Sequence, residues 1–188
     1  MEKSELEIKE IKERYKRQID RLEKMQLNNL AVANIRYWYN RLSYLPKTKD
    51  LYDDFMLIDA LTTSIIIAYG RLYGQGTGTT VLNKTDIPEH LIPIHNEIIE
   101  LRHARYAHHG EHPSIITKNN VEYIDSSFII SQEVLIDGWL GAPKHWDALF
   151  KWLDEYLYNS IHKILSFLTK ETGIEWKMTH GEVPPWIE

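Results

Sequence analysis

Apolar residues recur at helical intervals over most of the chain, and the intervals predict several helices with one short β candidate among them. From Ser4 to about Leu45, Ile8, Tyr15 and Leu22 repeat every seven residues. Ile11 and Met25 sit on the offset row, with Lys, Arg and Glu between. So narrow a stripe predicts a helix that projects or packs along one edge. Asn28-Asn29 is the expected break; the second piece, Leu30–Leu45, brings Tyr37, Trp38 and Tyr39 toward the core before Pro46 stops it. A second helix is predicted from about Asp50, a capping residue, to Tyr73, burying Leu51, Phe55, Ile58, Leu61, Ile65 and Leu72. A third begins near Asp86, with Pro88 in its first turn. It buries Leu91, Ile94, Ile98 and Leu101 and frays at His109-Gly110, where Pro113 forbids continuation. The last runs from about His145 to Lys170 on a broad face of Trp146, Leu149, Phe150, Leu153, Leu157, Ile161, Ile164, Leu165 and Leu168, with Gly173 as its stop.

Between the third and last helices, Ser114–Lys118 and Val121–Ile124 flank Asn119-Asn120, the pattern of a small β-hairpin turning at the asparagines. Phe128–Ile130 either extends it or anchors an apolar loop. The glycine-rich run Gly74–Thr80 follows a helix rather than a strand and lacks the Gly-Lys-Ser/Thr ending of a phosphate loop, so it reads as a flexible connection. Pro184-Pro185-Trp186 reads as an extended tail that docks through its Trp. The expected architecture is an all-α bundle with a long N-terminal helix and a small β-hairpin insertion. It divides into a helical extension over 1–45, a helical domain over 46–174 and a tail over 175–188.

Composition narrows the function classes. With 43% hydrophobic residues, six Trp and eleven Tyr in 188 residues, the chain can bury a sizeable core, which excludes disorder as its main state. The absence of cysteine excludes disulfides, thiolate metal sites and a Cys nucleophile. The opening MEKSELEIKEIKERYKR lacks the apolar centre of a signal peptide. The greasiest stretch, Phe55–Ala68, is interrupted by Asp59, Thr62, Thr63 and Ser64 and falls short of the roughly 20 apolar residues a bilayer requires, so a core helix, no membrane partner and a cytoplasmic location are expected. The net charge of −5 is uneven: residues 1–41 carry ten Lys/Arg against seven Asp/Glu, and the remainder carries twelve against twenty. A mildly basic arm on an acidic body suits contact with a phosphate backbone or, equally, a solvated helix of mixed charge.

Four of the nine histidines fall in LRHARYAHHGEH, at the predicted end of the third helix. His103, His108, His109 and His112 are possible metal ligands, but no His-Glu-x-x-His arrangement accompanies them. Cationic side chains at a helix C-terminus, favoured by the helix dipole, are a purely structural alternative. The third reading is phosphoryl chemistry. Cleaving RNA through its own 2′-hydroxyl needs a base, an acid and positive charge on the phosphorane-like transition state. Histidine titrates near neutrality and the arginine fork matches phosphate oxygens. One well-placed His supplies one proton-transfer group, so a two-fold dimer that joins two such segments supplies both.

The run Arg102-His103-Ala-Arg-Tyr-Ala-His108 resembles the Arg-x4–6-His motif of the HEPN superfamily, the small helical domains of many toxin–antitoxin and abortive-infection ribonucleases. The polar residue after the arginine fits, as does an upstream helix ending in a basic, aromatic turn, Tyr69-Gly-Arg71-Leu-Tyr73. The resemblance covers roughly Asp50–Lys170. It implies a HEPN-like bundle in which Arg102 binds the scissile phosphate, His108 is the acid–base group and His103 orients the arginine or the substrate. It further implies a composite dimer site, RNA as substrate, no metal and no cofactor. The Tyr-Ala-His phrasing selects His108. On a straight helix turning about 100° per residue, His109 lies closer to the Arg102 face and is its rival. Tyr106 and Arg105 are candidate substrate contacts, Asp59 a candidate partner of Arg102, and His95 shares the Arg102 face one heptad earlier. The alternatives are a non-catalytic binding or dimerisation module of the same fold and a histidine-cluster metal protein. The long N-terminal helix suits an antitoxin-like protein partner under either of the first two.

Overall fold

In the computed structural model, residues 4–45, 51–74, 81–107, 115–136 and 141–178 are described. The helices are α1 (Glu5–Arg14), α2 (Lys16–Ser43), α3 (Leu51–Tyr73), α4 (Ile92–Leu101) and α5 (Trp146–Thr172); the strands are β1 (Ile115–Ile124) and β2 (Ser127–Ile136). The chain is mostly helical, with one antiparallel two-stranded hairpin.

Ser4 caps α1 and forms a reciprocal capping box with Glu7. The break expected at Asn28-Asn29 falls instead at Tyr15, where the backbone leaves helical geometry at φ −106 and ψ 18. The Tyr15 ring meets Phe167 of α5 edge-on at 6.3 Å, so a tertiary contact marks the joint and no helix-breaking residue does. Asn28 lies inside continuous α2 and is fully buried. Leu22, Met25, Val32 and Ile35 form the buried stripe of α2, which packs on α3 and α5.

The core sits where α2, α3, α4 and α5 meet, around Ile65, Ile66, Tyr69, Ile98, Trp146, Phe150 and Leu153. The α5 face follows its predicted spacing, with Ile164 partly buried and the others fully so. Gly173 closes α5 in the left-handed region at φ +64, its N–H donating to the Thr169 carbonyl at 2.9 Å. The α3 helix is longer than the apolar run within it. Among the described residues, Tyr52–Tyr73 is the one span with the length and hydropathy to cross a membrane, and Ile65, Ile66, Tyr69 and Leu72 bury its C-terminal half in the core.

Two corrections concern the segment before α5. The chain between Lys84 and Leu91 makes two 3₁₀ turns, Lys84–Asp86 and Glu89–Leu91, and α4 begins only at Ile92. The hairpin turns at Asp125-Ser126, both with positive φ (49° and 62°), while Asn119 and Asn120 are mid-strand opposite Gln132 and Ser131. Asp-Ser fits a primed turn, which needs positive φ at both central residues. Phe128–Ile130 belongs to β2. The Gly74–Thr80 loop (save Gly74), the Asp50 cap, the Pro46 and Pro113 stops and the Pro-Pro-Trp tail lie outside the described residues.

A candidate site at the joint of α3 and α4

Helix α4 does not run on to His109 as a regular helix. From Arg102 to Ala107 the backbone forms a π-helical turn, bonded i→i+5. Its wider turn rotates less per residue than an α-helix, so the straight-helix comparison of His108 with His109 does not hold. Both histidines, with His112, lie outside the described residues. His103 is exposed at the start of the turn, and Arg105 and Tyr106 lie on its backbone.

The first residue of the turn, Arg102, is positioned by a glycine. Gly70 is buried on α3, and a Cβ there would overlap the Arg102 Cδ and Nε. The notch left by the missing side chain therefore receives the arginine stem. Arg102 is half-buried, and its Nε is enclosed with no hydrogen-bond partner among the described residues. Asp59 is not its counter-ion. Asp59 lies eleven residues before Gly70, which at 1.5 Å per residue is roughly 16 Å along the α3 axis, beyond the reach of a guanidinium docked at Gly70.

About two turns before Arg102, His95 is buried, and its Nδ1 pairs with the Tyr69 hydroxyl at 2.8 Å. The Tyr73 ring meets the His95 ring edge-on at 4.6 Å and the Tyr69 ring at 5.2 Å. Burial pushes the Tyr69 and Tyr73 hydroxyls well above the ordinary tyrosine range. Burial also lowers His95, with Lys84 adding to the effect, so this imidazole is held neutral. The Tyr73 hydroxyl is enclosed near that of Tyr69 but not in hydrogen-bonding geometry. Among the described residues, Tyr73 Oη and Arg102 Nε are enclosed without a hydrogen-bond partner. An enclosed polar atom left without a partner costs about 1–3 kcal/mol.

Polar contacts around the seam hold α4 in place. Trp146 Nε1 donates to Glu97 at 3.1 Å and His145 Nε2 pairs with the same carboxylate at 2.8 Å, tying the start of α5 to α4. Tyr156 donates to Asp86 at 2.6 Å, and Lys84 to Asn96 at 2.7 Å. Sequence reasoning placed Arg102 and His95 on a shared face but missed Gly70 and the Tyr69 pairing. A glycine inside an apolar helix, where it costs stability relative to alanine, was the available signal.

No group of three or more potential metal ligands occurs among the described residues, which exclude most of the histidine cluster. Among the described residues, grooves open beside His162 and Trp176 (about 590 Å³), along Arg17 and Lys24 (about 590 Å³) and beside Tyr156 and Lys163 (about 650 Å³). None of these three reaches Arg102. No family model, curated protein or solved structure matches the chain.

Proposed function

We propose that the chain is a HEPN-like helical bundle acting as a metal-independent endoribonuclease of toxin or phage-defence type, with a composite site in a homodimer. The observation that carries this is the arginine: Arg102 is docked in a glycine notch at the head of a π-helical turn, its Nε uncommitted to any described group. Among the described residues no carboxylate pairs with Arg102, which leaves its guanidinium for a phosphate. Single π turns inside helices recur at functional sites.

In this reading Arg102 binds the scissile phosphate and stabilises the charge that builds on it. One His108 imidazole takes the proton of the 2′-hydroxyl, whose oxygen attacks phosphorus. The other protomer's imidazole gives a proton to the departing 5′-oxygen. His103 orients the arginine or the substrate, His109 is the alternative acid–base group, and Arg105 and Tyr106 contact the RNA. The test is cleavage of a mixed RNA pool in EDTA by wild type, Arg102→Ala and His108→Ala. Loss in both variants, each still folded, is the expected result. Activity unchanged by both, or none in a folded, dimeric wild type, overturns the reading.

The charge balance favours a second reading, a binding or dimerisation module without catalysis that engages an antitoxin-like protein. Residues 42–188 carry twelve Lys/Arg against twenty Asp/Glu, a poor complement to an RNA groove. An inactive but folded wild type in the same assay leaves this reading standing.

A further inference from the structure

The hairpin Ile115–Ile136 makes its substantial packing between its own two strands, not with the described helices. A lone two-stranded hairpin is marginal in water and needs a further layer against it. Strand alternation places Val121, Tyr123, Phe128 and Ile130 on one face, in two cross-strand rungs, Val121 opposite Ile130 and Tyr123 opposite Phe128. Their exposures are 59%, 64%, 75% and 73%, so this face is open to solvent. The two rings lie 4.9 Å apart. The opposite face of the same stretch carries Asn120, Glu122, Ser127 and Ser131 beside Ile124 and Ile129, with the Asn120 amide donating to Glu122 at 2.8 Å.

We propose that the Val121–Tyr123–Phe128–Ile130 face seats the same face of a second copy of this chain, hairpin against hairpin about a two-fold axis. The hairpin carries Lys118 against Glu122, Asp125 and Glu133, a balance that repels phosphate and so disfavours nucleic acid. The four-residue face itself has no charge for a charged peptide to pair with. Its relief is self-complementary: a two-fold axis lying between the rungs sets each aromatic rung over the partner's aliphatic rung, large against small. Scaled by exposure, the four side chains offer on the order of 450 Å² per hairpin. A pair then buries about 900 Å², just under the roughly 1,000 Å² of a firm interface and within the range of weak, exchanging ones. The inference stands whether or not the chain cleaves RNA, and it assigns the dimer a contact surface outside the helical bundle.

The test is sedimentation of the full chain over about 1–300 µM, which covers weak, exchanging association. Wild type is expected to pass from monomer to dimer. Phe128→Lys with Ile130→Lys is expected to weaken association at least tenfold, while Ile129→Lys, on the other face, leaves it unchanged. Helical circular dichroism of all three should match, because the hairpin does not build the core. A nitroxide on Ser131→Cys, in a chain with no other cysteine, should report coupling between protomers that the lysine pair abolishes. A chain monomeric throughout, or a dimer indifferent to the lysine pair, overturns the proposal, and RNA cleavage remains a separate readout.

Discussion

Replacing Gly70 by alanine separates stability from function at one atom. A Cβ at Gly70 overlaps the Arg102 Cδ and Nε, so either the arginine leaves its notch or the two helices part. Parting them costs about 1–3 kcal/mol of overpacking. Leaving costs less. Alanine in a helix interior gains about 0.5–1 kcal/mol over glycine, and release of Arg102 Nε to water removes the penalty of an enclosed, unpartnered donor. Against these gains stands the lost packing of one arginine stem, so the net is a stability change between zero and about +1 kcal/mol. At this chain length that is a rise of up to about 4 °C in Tm. Phosphate positioning should nevertheless fail, and cleavage should fall toward that of Arg102→Ala. The assay pairs thermal unfolding with RNA cleavage in EDTA, for Gly70→Ala, Arg102→Ala and the double variant. The double variant should be no less stable than Arg102→Ala, since the clash is gone. Full activity in Gly70→Ala at unchanged stability would refute the notch as the device that places the arginine; a loss beyond about 3 kcal/mol would show that the helices, not the side chain, yield.

Other consequences follow from the buried polar pairs. Tyr69→Phe removes the 2.8 Å bond to His95 and strands a buried ring nitrogen, so urea unfolding at pH 7 should show a loss of about 1–3 kcal/mol. His95 is held neutral by burial, whereas in the unfolded chain it titrates near 6.5. Its contribution is therefore complete above about pH 6.5 and declines as pH falls below that, by at most about 1.4 kcal/mol per unit. His95→Gln should flatten the stability–pH profile between pH 7 and 5, and an unchanged slope would remove His95 from the account. Arg36 is buried and lies 3.8 Å from the Asp154 carboxylate, whose pKa burial raises and Arg36 lowers. Asp154→Leu alone should cost about 2–3 kcal/mol by stranding the guanidinium, and Arg36→Met added to it should recover most of that.

Where burial dictates periodicity, the sequence is a sufficient guide. The face from Trp146 to Leu168 and the glycine closing α5 follow directly from spacing and backbone freedom. Local rules failed where a distant residue decided the outcome. Asn119-Asn120 is a good turn dipeptide, yet pairing Val121 with Ile130 and Tyr123 with Phe128 moves the turn to Asp125-Ser126. Tyr15 interrupts the first helix without being a breaker, at a joint met by Phe167. At the candidate site, Arg102 and His95 could be placed on one helical face by counting. The glycine that shapes the arginine's seat, the tyrosine that holds the histidine and the π turn all arise from contact between α3 and α4, which no single-helix count contains.

The π turn also changes what a length variant would do. A π turn is an α-helix carrying one residue too many, held at a cost in hydrogen-bond geometry. Removing a single residue from 103–107 should let the segment relax into regular α-helix and be tolerated by the fold. The chain beyond it would keep nearly the same direction, because the smaller rotation per residue of a π turn already absorbs the extra residue. Turn geometry and stability at this joint are thus written in different alphabets, one in the number of residues and the other in their identity. Shortening the turn by one is the change that removes the π geometry beside Arg102 while every side chain in the core stays as it is.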